Sequence, residues 1–330
     1  MPSSRVKSPA TPTGRRRGGA SRVRGTLAFY GFISPWLIGT AALLVFPVGY
    51  AVYLSFTDWN GMTSFIPWVG LANYREVLTS PDTMTALQKT LLLVTAVVPT
   101  TIAGSLVLAI LLNKRVRGRT ILRTFIYLPA IVPPVAGALI WKIIFDKNAG
   151  AMNRLIALFG VNPVSWLTGN TVFFVLIVVL LWGVGAGIII DLAALQTVSP
   201  EQVDAARVDG AGMLSTFRHV TLPAISPILL FQTVLVTITT LQTFVPAILL
   251  SPISGAGAGA ASAVTDIQAA NRVYMVDVYQ QFFAYSRYGY GSAMLVVFTV
   301  IILLLTTVIF RLLGRSVFYA VDPGQSRKAG

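Results

Sequence analysis

Residues 203–227 read "VDAARVDGAGMLSTFRHVTLPAISP" and hold two aspartates, two arginines and the only histidine of the chain. Long runs of Val, Ile, Leu, Phe and Ala lie on both sides. The passage decides the fold because it separates two segments that are each apolar enough to cross a bilayer. Its own charges would be costly there, on the order of 2.5–3.5 kcal/mol each at a helix centre. The charged island is therefore a loop at the membrane surface.

The rest of the chain fits that reading. Of 330 residues, 55% are hydrophobic and 11% charged, and the mean hydropathy is +0.75. Soluble domains carry about 25% charged residues. The fold class is all-α and polytopic, since a spanning helix needs about 20 mainly apolar residues. Six segments qualify, at 29–56, 87–112, 121–145, 172–195, 225–250 and 293–313. The third contains Pro129, Pro133 and Pro134 and is expected to be the least regular. Its freed backbone groups require neighbouring protein rather than lipid.

Orientation follows from Lys and Arg. With six spans both ends share a side, and 18 of the 25 basic residues fall on it, including seven in the N-terminal tail and Lys114, Arg115, Arg117, Arg119 and Arg123. Both termini are expected to be cytoplasmic, in a multi-pass plasma-membrane protein. Residues 1–26 read as a basic disordered tail and 317–330 as a second cytoplasmic tail. A signal peptide competes for the first apolar run, but the run is too long and no A-x-A site ends it. The net charge of +14 serves topology, and no basic stripe interleaved with aromatics points to nucleic acid.

Several chemistries are missing. There is no cysteine and one histidine, so neither a thiolate nucleophile nor a His-rich metal site is available. No G-x-x-x-x-G-K-[ST] loop occurs, and the "GAGAGAAS" of 255–262 reads as a flexible external loop. No catalytic residue and no metal ligand is assigned. The spans are nearly free of ionisable groups, with Asp191 near the end of the fourth and Lys142 near the end of the third as exceptions. That speaks against a proton-coupled carrier, while a sodium-coupled one, using hydroxyls and carbonyls, stays open.

The polar groups of the fifth span are neutral. Gln232, Thr239 and Thr243 fall within about 40° of one helix face and form a candidate path for a polyhydroxylated solute. Interhelical hydrogen bonding is the plainer alternative. Thr233, Thr237 and Thr240 make a second row assigned to packing, and Gln242 lies between.

The island itself reads as two short amphipathic helices about a bend, over roughly 199–223. Ser199 is a candidate cap, Pro200 suits the first turn, and Gln202 stands at the capping-box position. Gly210 and Gly212 permit the turn. Ala205, Ala206 and Ala211 allow another surface to approach, ringed by Asp204, Arg207 and Asp209. A helix lying on headgroups usually has a Lys/Arg face and bulky anchors. Acids and alanines suit a protein partner better.

The passage resembles the cytoplasmic motif of permease subunits of bacterial ABC importers: Glu-Ala-Ala, three residues, Gly, nine residues, Ile-x-Leu-Pro. Here it is Asp204-Ala205-Ala206, Gly210, then Val220-Thr221-Leu222-Pro223, with Asp for Glu and Val for Ile. "SFTDWNG", "VGLANYREVL", "RTFIYLPAIVPPVAGALIWKIIF" and "AYSRYGYGSAMLVVFTVIILLLTTVIFRLL" resemble the carbohydrate branch, of the maltose and glycerol-3-phosphate permease type. Lys89-Thr90 stands where the family often has Asn-Thr, and "SPISGAGAGA" where it has a "TGGGP"-like turn. The resemblance spans 27–316, taken as one transmembrane domain.

It implies a second homologous permease subunit, two ATP-binding cassette ATPases that hold the ATP and Mg, and an extracytoplasmic solute-binding protein. The chain itself would then need no cofactor and catalyse nothing. Asp204, Ala205, Ala206, Asp209, Gly210, Val220, Leu222 and Pro223 would form the loop coupled to the ATPase. The expected solute is a sugar or oligosaccharide, with a glycerol-phosphate-type solute as runner-up. A stand-alone carrier or channel is the competing class, and a membrane enzyme a distant third.

Overall fold

The computed structural model describes residues 19–114, 118–251 and 269–314. The chain divides into two units, Met1–Tyr53 and Leu54–Gly330. Within the described residues of the first, helix α1 (Gly19–Thr40) passes through a π-helical turn, Ala41–Val45, into α2 (Phe46–Leu54). Helix therefore begins inside the stretch expected to be disordered, because nothing between Gly19 and Pro35 breaks it. The remaining tail, Arg115, Arg117, the loop at 255–262 and the C-terminal tail lie outside the described residues. Phe46 stacks on Tyr50, and Tyr50 on Tyr53, while most apolar side chains of the run face outward, as lipid contact requires.

The second unit opens with α3 (Ala72–Thr79) and α4 (Pro81–Asn113). α4 starts six residues before the expected span because "SPD" is a helix start: Ser80 Oγ accepts from Thr83 N and Pro81 takes the first turn. The third expected span is broken. α5 (Arg119–Ile131) and α6 (Pro134–Ile144) meet at 101°, with Val132 and Pro133 extended between them. A residue before proline avoids the helical region, and two prolines in succession supply no N–H.

α7 (Ala151–Ala157) follows, then α8 (Thr171–Trp182) and α9 (Gly185–Gln196), a single span with a local break at Gly183. After α10 (Pro200–Val208) comes α11 (Met213–Thr216), a π-helical turn and α12 (Leu222–Leu241). The expected fifth span, 225–250, is corrected at both ends. It begins at Met213 and stops at Leu241, and α13 (Val245–Leu250) restarts with Pro246 in its first turn. α14 (Tyr274–Phe283) precedes α15 (Tyr288–Leu313), which starts five residues earlier than expected. Among the described residues five helices are long and apolar enough to cross a membrane, six if the bent α5–α6 pair is one span. Among the described residues there is no strand, only an isolated bridge between Thr57 and Trp68.

α4, α9 and α12 pack on one another, with Ala109, Ile188, Leu195 and Ile225 in their shared core. Small residues set the spacing. A Cβ on Gly185 would lie 2.2 Å from the Ile126 carbonyl oxygen, and one on Gly187 2.3 Å from Gln232 Nε2. At the opposite end, buried Asp277 pairs with Arg272 at 2.6 Å and accepts from Thr83 Oγ1 at 3.2 Å. Burial works against the Arg272 charge, yet Asp277 outweighs it and holds the guanidinium above its ordinary value. Arg287 pairs with Glu76 at 2.7 Å and lies over the Tyr290 ring. These contacts tie the start of α4 to α14 and α3 to the start of α15.

Candidate functional site

The charged loop is one helix, one glycine turn and the start of another helix. Pro200 occupies the first turn of α10 as expected, but Ser199 does not cap it. Its hydroxyl donates to the Glu201 carboxylate instead and holds that carboxyl below the usual range. Gln202 therefore has no capping box to complete. α10 ends in a Schellman turn: Gly210 N donates to Arg207 O at 3.0 Å and Ala211 N to Ala206 O at 2.9 Å. Gly210 has φ of 81°, the left-handed region that glycine enters without steric cost.

Asp204, Ala205, Asp209 and Gly210 are exposed, Ala206, Val220, Leu222 and Pro223 half-buried. Asp204 pairs with Arg207 at 3.2 Å on the surface, a contact that contributes little. The expected second short helix is not separate. It runs through the π-turn Phe217–Thr221 into α12, so Pro223 sits inside a continuous span. Val208, Met213 and Leu214 project from the loop 88%, 73% and 78% exposed. Between this loop and the last turns of α4 and α9 lies a cavity of about 400 Å³, lined by Asn113, Leu195, Val203 and Arg207 among others.

A second cavity, about 330 Å³, opens among α4, α9 and α12. Gln232, Thr239 and Thr243 all line it, so the structure brings the predicted row together. Thr243 does so from beyond the end of α12. Thr240, assigned above to a packing row, lines it too. Thr233 and Thr237 donate to their own helix backbone at 2.7 Å. Thr239 also donates to its own helix, at 3.0 Å. Thr101 on α4 was not singled out in the sequence; its hydroxyl is buried at the cavity and has no partner among the described residues.

Behind the cavity, Gln232 Nε2 donates to Ser105 Oγ at 3.3 Å, in the space that Gly187 leaves open. Asp191, one turn from Gly187 on α9, is wholly buried there. Ser105 and Gln232 are its polar neighbours, and neither of its oxygens accepts a hydrogen bond of normal geometry. Gln232 thus ties α12 to α4, while Thr239, Thr240 and Thr243 line the cavity.

Long apolar helices around a small, mostly apolar cavity that a few threonine hydroxyls and Gln232 reach, with a charged loop between two of them, are the build of a membrane transport subunit. Residues 100–319 match the family described as "Binding-protein-dependent transport system inner membrane component", and the chain belongs to that family. The probable ABC transporter permease protein YesP of Bacillus subtilis (strain 168) is 34% identical, over 87% of this chain and 91% of that protein. The trehalose/maltose transport system permease protein MalF of Thermococcus litoralis is 28% identical, over 87% and 93%. In fold, the chain is similar to a bacterial alginate ABC transporter solved in complex with alginate pentasaccharide-bound periplasmic protein. The TM-score is 0.76 at 20% identity, covering 91% of this chain and 99% of that one.

Proposed function

We propose that the chain forms one half of the path for a neutral sugar or oligosaccharide in an ATP-driven importer. The observation that carries this reading is the cavity among α4, α9 and α12. Its wall is mainly apolar, threonine hydroxyls reach it from α4 and from the end of α12, and no cationic side chain lines it among the described residues. Such a lining matches a polyhydroxylated solute and leaves a phosphate without a partner. Relatives named for trehalose/maltose and for multiple sugars point the same way.

In this reading α5 and α6 count as one span and both ends of the chain are cytoplasmic, as the distribution of Lys and Arg favours. The Asp204–Pro223 loop then faces the cytoplasm and docks into an ATPase through Val208, Met213 and Leu214. ATP and Mg reside on that partner, and two such ATPases serve this chain and a second permease. An extracytoplasmic binding protein supplies the solute. The test is calorimetry of the binding protein that co-purifies with the transporter, across a panel of neutral and phosphorylated sugars. Tight binding of a neutral sugar is expected; exclusive binding of a phosphorylated one overturns the assignment.

A further inference from the structure

Between α5 and α9 runs a crevice of about 380 Å³ that belongs neither to the cavity nor to the loop. Its walls are apolar, with Ile126 and Ile131 from α5 and Ile188, Ile189 and Leu192 from α9. One polar group stands out. Arg123 lines the crevice, and two of its guanidinium nitrogens, Nε and Nη2, are buried without a hydrogen-bond partner among the described residues. Buried charged donors are ordinarily satisfied, so this one is placed for an acceptor that the described residues do not supply.

The placement identifies the acceptor. Arg123 sits in the second turn of α5, one turn from Arg119 at the start of that helix. From Arg123 to Ile131 the wall extends eight residues along α5, about 12 Å at 1.5 Å per residue. Leu128 and Ile189 remain 54% and 50% exposed, so the mouth opens outward. A free phosphate would satisfy Arg123 and leave the slot empty. A carboxylate from a neighbouring subunit would do the same. A molecule with an anionic head at the membrane surface and a hydrocarbon chain pointing inward serves both parts, and basic pockets between spans recognise such headgroups.

We propose that the α5–α9 crevice binds one anionic phospholipid, its phosphate on Arg123 and an acyl chain along Ile126, Ile131 and Ile189. The test is native mass spectrometry of the full chain, extracted in mild detergent in the assembly it forms and supplied with phosphatidylglycerol or phosphatidylcholine of equal chain length. The wild type should retain more phosphatidylglycerol. Arg123→Gln should reduce that retention about five-fold, the equivalent of the roughly 1 kcal/mol a basic residue contributes at an anionic surface. Arg123→Lys should keep a weaker preference. Ile189→Trp fills the slot from a half-exposed position and should lower retention of both lipids, which keeps the proposal testable should Arg123→Gln fail to assemble.

Retention unchanged in Arg123→Gln, equal retention of the two lipids by the wild type, or displacement of the lipid by inorganic phosphate would each overturn the proposal. So would an assembled wild type that carries no lipid, because a protein side chain then covers Arg123.

Discussion

At position 210 a side chain would have to sit on a backbone whose φ is 81°, which costs L-residues roughly 1–2 kcal/mol. Gly210→Val should therefore distort the turn on which the loop is built. Membrane insertion, which depends on the apolar spans, should stay near wild type on immunoblots of membranes, while solute uptake is lost. Normal uptake by this variant would remove the loop from the coupling role. Asp277 is a different kind of position, a buried carboxylate paired with Arg272. Asp277→Ala leaves that cation only the exposed Asp82 carboxylate, 3.4 Å away, and removing the buried partner of a pair costs up to about 3–5 kcal/mol, readable as a lowered unfolding temperature in detergent. Tyr274 supplies a pH dependence. Burial first, then the nearby Tyr290 and Asp277, push its phenol above the ordinary value of 10.0. Below pH 10 the folded and unfolded chains both hold this proton, and the contribution of Tyr274 is fully present. Above pH 10 the unfolded chain releases the proton first, so stability falls as pH rises. Tyr274→Phe should flatten that alkaline slope while losing the hydroxyl's bond to the Met294 carbonyl, about 1 kcal/mol.

Elements were legible where proline and glycine act locally. Pro129, Pro133 and Pro134 announced an irregular third segment, and it bends by 101°. Gly210 announced a turn and occupies one. Pro246 carries the same information, yet an unbroken apolar run hid it, because hydropathy averages over the break at 242–244. The contact of α5 with α9 was illegible for another reason. Gly185 looks like any small residue in a span, and only the folded chain sets its α-carbon against the Ile126 carbonyl. A Cβ there would lie 2.2 Å from that oxygen, and the obstacle is backbone, which cannot rotate away. Gly185→Val should force α5 and α9 apart and cost about 1–3 kcal/mol, the usual penalty for overpacking. The same thermal unfolding measurement checks it. An unchanged unfolding temperature would mean that the two helices are held apart from one another in the membrane.

For the molecule as a whole, the question is whether solute movement is driven by the loop or by the cavity alone. The sequence placed Gln232, Thr239 and Thr243 on one face by reading them as one helix; that holds for Gln232 and Thr239, while Thr243 lies past the end of α12 and reaches the same cavity from the break. It could not place Thr101, which arrives from α4, nor show that Thr240 joins them where α12 ends. The cavity threonines and the Gly210 turn lie on different parts of the chain, so the two proposed roles can be separated by experiment. A reconstituted transporter should distinguish them. In liposomes with the ATPase and second permease, uptake should require ATP. The double variant Thr240→Val, Thr243→Val removes two hydroxyls that a sugar can use, each worth about 0.5–1.5 kcal/mol. It should raise the solute concentration for half-maximal uptake about ten-fold while ATP hydrolysis continues. Gly210→Val should instead uncouple hydrolysis from uptake at every solute concentration. A stand-alone carrier gives the opposite pattern: the purified chain moves solute without ATP, the threonine variant impairs it, and the Gly210 variant does not. ATP-independent uptake by the chain alone would decide for that class and remove the ATPase from the account.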